Sequence, residues 1–565
     1  MITTNGGISV DRPRLRAGRG VTEPPPPTCF LEPLLTVRLQ RRTLPLAAVM
    51  LAASLLVGSA QADTPAPADP TLTADLGAIL ADARLTNAQA GVQVIDADTG
   101  QVLYQHQPDA LLTPASTLKT VTSAAALELL GADHRFTTEV RTAGSVYGRV
   151  LVGDLLLRGG GDPSLRPGDL DDLAARVADS GITTVTGRVL ADGTRYDSTP
   201  YGPGWAWDDQ PYTYSPQISG LTVAPDSEYT MDTVQVTVTP GANAGDDARV
   251  SLSPAEAPMQ LDGRITTGAA GSTTTADVER RRSVNSLDLN GSLPIGAAPV
   301  TFWQTVENPA VYTGDVFAGA LERHGVHVVH DDVRAATGTE ATQPLASHDS
   351  APLSELIVPM LKLSNNGMAE HLTKEIGKVK AGQGTWTAGI TQIKSFLAAN
   401  GLTTPAGRQV DGSGLSRYDL ITPAKMTALL KAAQTKPWYQ AWYNALPVAG
   451  NPDRLVGGTL ANRMRGTAAA NNVHAKTGSM SGVDNLTGYV TTPDGHHLAF
   501  TAMLNNFTGP VPHDILDAVA VRLATGHQAP TTSPAAPRSL MAPAPGSTTP
   551  DSGTRWEDCE SLHRC

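Results

Sequence analysis

The chain has 565 residues, 41% of them hydrophobic, enough for a large core and for several units of domain size. Its net charge is −12 and it has no basic run beyond the N-terminal region, which argues against nucleic acid as a partner. Its three cysteines, Cys29, Cys559 and Cys565, leave residues 30–558 without a disulfide framework or a cysteine metal site. Its thirteen histidines form no ligand pattern.

From the N terminus, Pro-rich residues 1–37 precede Arg41-Arg42-Thr43, the apolar run Leu44–Gly58 and Ala60-Gln61-Ala62. Charged, apolar and small-residue parts in that order read as an export signal over 38–62, cleaved after Ala62. The run is short of the ~20 residues of a spanning helix. Residues 1–37 are expected to be untranslated or a disordered extension, with the start near Val37. Residues 63–73 form a polar linker rich in proline.

A helix is predicted from about Ala74 to Ala83. A hairpin follows, Gly91–Asp96 and Gln101–Gln105, joined by Asp98-Thr99-Gly100. Thr113-Pro114-Ala115-Ser116 opens a buried helix running to Leu130, with Thr113 as its cap and Pro114 in its first turn. Ser116 and Lys119 lie three residues apart and face the same way. From about 143 to 344 the chain reads as short strands with Gly, Asp and Thr turns, an inserted β-rich accessory region. Helical pattern resumes at Leu353–Lys362. Strands are predicted at 473–479, 486–492 and 498–504, then a helix over 514–524. Residues 527–565 read as a disordered tail, in which Cys559 and Cys565 could bridge.

Three strings carry chemistry: Ser116-Thr117-Leu118-Lys119, Ser364-Asn365-Asn366 and Lys476-Thr477-Gly478. A serine hydroxyl is a poor nucleophile until a base takes its proton. Lys119 can be that base if burial and a second ammonium, Lys476, lower its pKa well below about 10.4. Ser364 fits a hydroxyl relay, and Asn366 an amide that orients Lys119. A strand carrying Lys476, Thr477, Gly478 and Ser479 can pair with an extended peptide, and Gly478 would let the substrate backbone approach. The backbone N–H groups of Ser116 and Ser479 are candidate oxyanion donors. Taken singly, each string is an ordinary helix start or turn; in this order they form the set of penicillin-interacting serine acyl enzymes.

The resemblance extends beyond the triplets. The strings Leu112–Thr120, Gly159-Gly160-Gly161-Asp162-Pro163-Ser164-Leu165, Gly204-Trp205-Ala206-Trp207-Asp208-Asp209, Asp411–Arg417 and Leu446–Gly450 resemble the class C low-molecular-mass penicillin-binding proteins. These are the D-alanyl-D-alanine carboxypeptidases/endopeptidases of peptidase family S13, here of actinomycete type. The resemblance implies an α/β (α+β) fold in which 74–142 and 345–526 form a transpeptidase-like, serine β-lactamase-like domain and 143–344 is the β-rich insertion. It implies Ser116 as nucleophile, Lys119 as base, Ser364 and Asn366 as relay, and Lys476 and Thr477 as carboxylate recognition, with no cofactor or metal. Side-chain recognition would fall to positions resembling Trp205, Asp208, Ser413, Arg417, Met480 and Ser481. Asp208 would meet a free ammonium and Arg417 a carboxylate, which suits a diaminopimelic side chain. Packing is the alternative for Trp205 and Trp207, and a surface ion pair for Arg417. Asn365 stands where Asp is common, and its side chain is expected to point away with little effect.

The expected function is a secreted, cell-wall-associated carboxypeptidase acting on peptidoglycan stem peptides and acylated by β-lactam antibiotics, with D,D-endopeptidase action alongside. Two rivals remain: a serine β-lactamase, which has no need of the insertion, and a non-catalytic wall scaffold, against which the intact motif set argues. The oligomeric state is not read from the sequence.

Overall fold

The computed structural model describes residues 70–336, 343–402 and 407–526. The export signal and the tail predicted above lie outside these residues, as does the linker before residue 70; residues 70–73, expected as linker, instead open the first helix, Pro70–Leu80.

A five-stranded antiparallel sheet carries the Lys476-Thr477-Gly478 string on one edge strand. Its strands run in the order Val102–His106, Gln89–Asp96, His497–Asn505, Val483–Thr491 and His474–Met480. Alternation sends successive side chains to opposite faces. Val92, Val94, Leu498, Phe500, Ala502 and Leu504 pack with the terminal helices Pro70–Leu80 and His513–Ala524. Ile95, Ala499 and Met503 face a larger helical layer. At the centre of that layer is the helix Lys119–Leu130, buried continuously from Lys119 to Leu127. Small Ala and Ser side chains let its neighbours, Leu353–Lys362 and Asn366–Ala381, approach from several sides.

The intervening region begins with strand Thr137–Thr142, which pairs with Leu155–Arg158 on one side and Gln343–Asp349 on the other. Short sheets dominate it, as its Gly- and Thr-rich sequence suggests. It also holds two helices that the strand reading passed over, Pro167–Asp179 and Pro309–Arg323. Leu170, Leu173, Ala174 and Val177 recur at helical spacing and enter the same core as Tyr312, Val316, Phe317 and Ala320. Among the described residues no helix is long and apolar enough to cross a membrane.

Candidate active site

Ser116 lies in a single 3₁₀ turn, Ala115–Leu118, that runs directly into the Lys119 helix. The expected Thr113 cap is absent: the turn has no side-chain cap, and Pro114 occupies the cap position. Two amides from the sheet anchor its approach instead. Asn485 Nδ2 donates to the carbonyls of Thr113 and Pro114 at 2.9 and 2.8 Å, and the Thr113 N–H donates to Asn505 Oδ1 at 2.7 Å. Neither asparagine was singled out from the sequence, since both sit within strand patterns.

Lys119 is fully buried, and its Nζ reaches three oxygens: Ser116 Oγ at 2.8 Å, Asn366 Oδ1 at 2.6 Å and the Ser413 carbonyl at 2.9 Å. Asn366 is oriented by its own Nδ2, which donates to the Tyr214 carbonyl at 2.8 Å. A neutral amine has two N–H donors and one lone pair. Asn366 Oδ1 and Ser413 O can only accept, so they take the two donors and leave the lone pair facing the Ser116 hydroxyl. Burial supplies the neutral amine by lowering the Lys119 pKa to about 7, against the opposing pull of the Glu370 and Asp411 charges. Of the two causes expected from the sequence, burial and a second ammonium, burial is the one that lowers it.

Buried acids beneath Lys119 were not found by sequence reading. Glu370 accepts from Gly412 N at 2.9 Å, Ser413 N at 2.8 Å and Trp386 Nε1 at 2.7 Å. Asp411 accepts from Gly414 N, Ser416 N and Trp205 Nε1. These bonds fix the loop that presents the Ser413 carbonyl. Burial and the neighbouring Asp411 carboxylate push Glu370 upward from the usual carboxylate range.

Ser364 adopts a left-handed backbone (φ 59°) just before the helix Asn366–Ala381. Its Oγ accepts from Lys476 Nζ at 2.9 Å. Lys476 is fully buried and also donates to the Thr477 carbonyl at 2.9 Å, while Thr477 Oγ1 donates to Thr459 Oγ1 at 2.8 Å. Gly478 has a reason other than substrate approach. A Cβ there would lie 2.7 Å from Pro114 O, 2.8 Å from Thr117 N and 3.1 Å from Ser116 N, so glycine seats the strand against the nucleophile turn. Asn365 is not idle either. It is buried, caps the following helix by accepting from Met368 N at 3.0 Å, and donates to the Tyr229 carbonyl at 2.7 Å.

Ser116, Ser364 and Asn366 open onto a cavity of about 200 Å³, walled also by Asp208, Arg417, Ser479, Met480 and Ser481. Arg417 is exposed and donates to the Ser481 carbonyl at 3.1 Å. Trp205 and Ser413 do not form its walls. Trp205 turns its indole to Asp411 and meets Trp386 edge-on, and Ser413 points its carbonyl at Lys119. Asp209 and Tyr214, joined through the Tyr214 hydroxyl at 2.9 Å, are wall residues the sequence did not disclose; burial raises the Asp209 pKa. One pair, Ser116–Lys119, can attack a carbonyl. A second, Ser364–Lys476, can pass a proton beside a positive charge.

A family profile described as D-Ala-D-Ala carboxypeptidase 3 (S13) matches residues 72–526. The D-alanyl-D-alanine carboxypeptidase of Actinomadura sp. (strain R39) is 47% identical over 496 residues, covering 87% of this chain and 92% of that one. Carboxypeptidase DacB of Mycolicibacterium smegmatis is 30% identical over 521 residues, covering 84% and 94%. The crystal structure of penicillin-binding protein 4 (dacB) from Haemophilus influenzae shares the fold, with a TM-score of 0.68 at 24% identity over 79% of this chain and 98% of that one.

Proposed function

Because the chain belongs to the S13 family of D-Ala-D-Ala carboxypeptidases, and is an enzyme of that kind, we propose that it removes the terminal D-alanine of peptidoglycan stem peptides through an ester on Ser116. The arrangement of acceptors around Lys119 carries this reading.

Ser116 Oγ attacks the carbonyl carbon of the D-Ala-D-Ala bond as its proton passes to the Lys119 lone pair. The backbone N–H groups of Ser116 and Ser479 receive the developing oxyanion, at about 3 kcal/mol per donor. Ser364 hands a proton to the leaving amine and is reprotonated by the Lys119 ammonium, with Lys476 polarising its hydroxyl, so Lys119 is again a free base. Free D-alanine departs; water then attacks the ester as Lys119 takes its proton, which passes to Ser116 Oγ as the ester breaks, and the shortened peptide leaves. The Lys476 charge and the Thr477 hydroxyl recognise the terminal carboxylate, with strand His474–Met480 lying alongside the peptide. Asp208 and Arg417, both on the cavity wall, take the ammonium and carboxylate of a diaminopimelic side chain, beside Met480 and Ser481. Trp205 and Ser413 support this pocket from behind, through Asp411 and the loop it holds. A β-lactam presents the same amide in a ring, so its acyl group stays on Ser116. Cross-link cleavage follows from the same chemistry where the leaving amine belongs to a neighbouring stem. Export by the N-terminal signal puts the enzyme where that polymer lies.

Intact-mass measurement after incubation with benzylpenicillin tests this. A long-lived adduct mapping to Ser116, absent in Ser116→Ala, is expected. Loss of the adduct within seconds would favour a β-lactamase, and no adduct on folded protein would favour a scaffold. A second test compares diaminopimelic peptides with a free and an acetylated side-chain amine. Asp208→Ala should impair the free-amine substrate more; equal effects would remove Asp208 from recognition.

A further inference from the structure

A second recess of about 480 Å³ lies where the helix Asn366–Ala381 meets the inserted region. Lys378, on its wall, stands twelve residues along that helix from Asn366, about 18 Å from the active site at 1.5 Å per residue. Four cations line it, Arg135, Arg158, Arg195 and Lys378, against one carboxylate, Glu139.

Among the described residues, two of these four charges have carboxylate partners and two do not. Arg195 is spent on buried Glu375, with Nε 2.8 Å and Nη2 2.5 Å from its oxygens. Glu139 is paired outward to Arg141 at 3.0 Å. Arg135 gives one N–H to the Ser350 carbonyl and, like Lys378, has no carboxylate partner among the described residues. Arg158 makes a long ion pair with Asp192 at 3.7 Å, and its side chain is 43% exposed. The Thr194 hydroxyl and the Gly159-Gly160 backbone complete the wall. Arg135 and Lys378, without a counter-charge, thus share one concavity with the loosely paired Arg158, which is unfavourable unless an anion joins them, and this chain carries a net charge of −12.

We infer that this recess binds an oxyanion, a phosphate or carboxylate group, held by Arg135, Arg158 and Lys378. Guanidinium forks match either group in a bidentate manner, and a lysine adds a point charge. The site joins elements from both parts of the molecule, so an anionic polymer seated there would be gripped away from Ser116.

Calorimetric titration of the mature chain at low salt, with pyrophosphate and with citrate as probes, tests the site. Saturable one-to-one binding is expected with at least one probe. It should weaken at least tenfold in the Lys378→Gln/Arg158→Gln double variant, persist in Ser116→Ala, and fall as salt rises. A preference for pyrophosphate assigns a phosphate-bearing ligand, and a preference for citrate a polycarboxylate. An unchanged rate of penicillin acylation shows that the double variant is folded; if it is not, Arg135→Gln serves in its place. No saturable binding of either probe, or undiminished binding in the variant, overturns the inference.

Discussion

At Lys119 the two halves of a base's task are met by different means. Burial provides a neutral amine, and two acceptors that cannot donate aim its lone pair. With the pKa lowered to about 7, the amine is protonated below that value and cannot take the Ser116 proton. The rate of acylation by benzylpenicillin should therefore fall about tenfold per pH unit below 7 and level off above it. Stopped-flow measurement from pH 5 to 9 checks this; a limb at 9 or higher would remove Lys119 from the role. Asn366→Ala deletes one of the two acceptors, and acylation should slow by about 10²- to 10³-fold with binding of the first encounter complex little changed. Ser116, Lys119 and Asn366 were legible in the sequence because each stands in a short string whose spacing fits one turn or one helix start. Glu370 and Asp411 were not. Their tasks are bonds to the backbone of a distant loop, and nothing in a lone Glu or Asp announces such a partner.

Strand His474–Met480 and the Ser116 turn behave as one element, because Gly478 lets them touch. In Gly478→Ala the new methyl would meet backbone atoms that cannot swing aside. A loss of about 1–3 kcal/mol in chemical denaturation is expected, together with at least tenfold slower acylation. A glycine there was expected for a ligand's sake; contact with its own chain could not be read from the sequence. The helix Asn366–Ala381 teaches a related lesson through Asn365. Asn365→Ala removes the acceptor for Met368 N and the donor to Tyr229, and should cost at least about 1 kcal/mol. Asn365→Asp keeps the cap but sets a carboxylate against the Tyr229 carbonyl, so its midpoint should fall between wild type and Asn365→Ala. Strand alternation after residue 473 and the 353–362 helix were plain in the sequence, since each buries a face at a regular period. The two inserted helices were obscured by the turn-rich segments around them, although Leu170 to Val177 keep helical spacing.

Across the whole molecule, the inserted region is bonded into the helical layer that carries Asn366 rather than appended to it. Its Arg195 reaches Glu375, a carboxylate wholly withdrawn from solvent on the helix that begins at Asn366. Arg195→Met would leave that carboxylate with His134 at 3.3 Å and the Tyr196 hydroxyl at 3.2 Å but no guanidinium, and should cost about 3–5 kcal/mol in urea unfolding. Long-range seams of this kind were invisible in the sequence, where the partners stand 180 residues apart. The family strings around Gly159 and Trp205 marked the insertion as belonging to the enzyme, but not which bonds attach it.

One of those bonds reaches the reaction itself. The Tyr214 carbonyl holds Asn366, and Asn366 holds the base. A small molecule wedged between Tyr214 and Asn366 would disarm the enzyme without touching Ser116. Such a compound would need no strained ring for a lactamase to open, although it would enter by the same cavity that Ser116 faces.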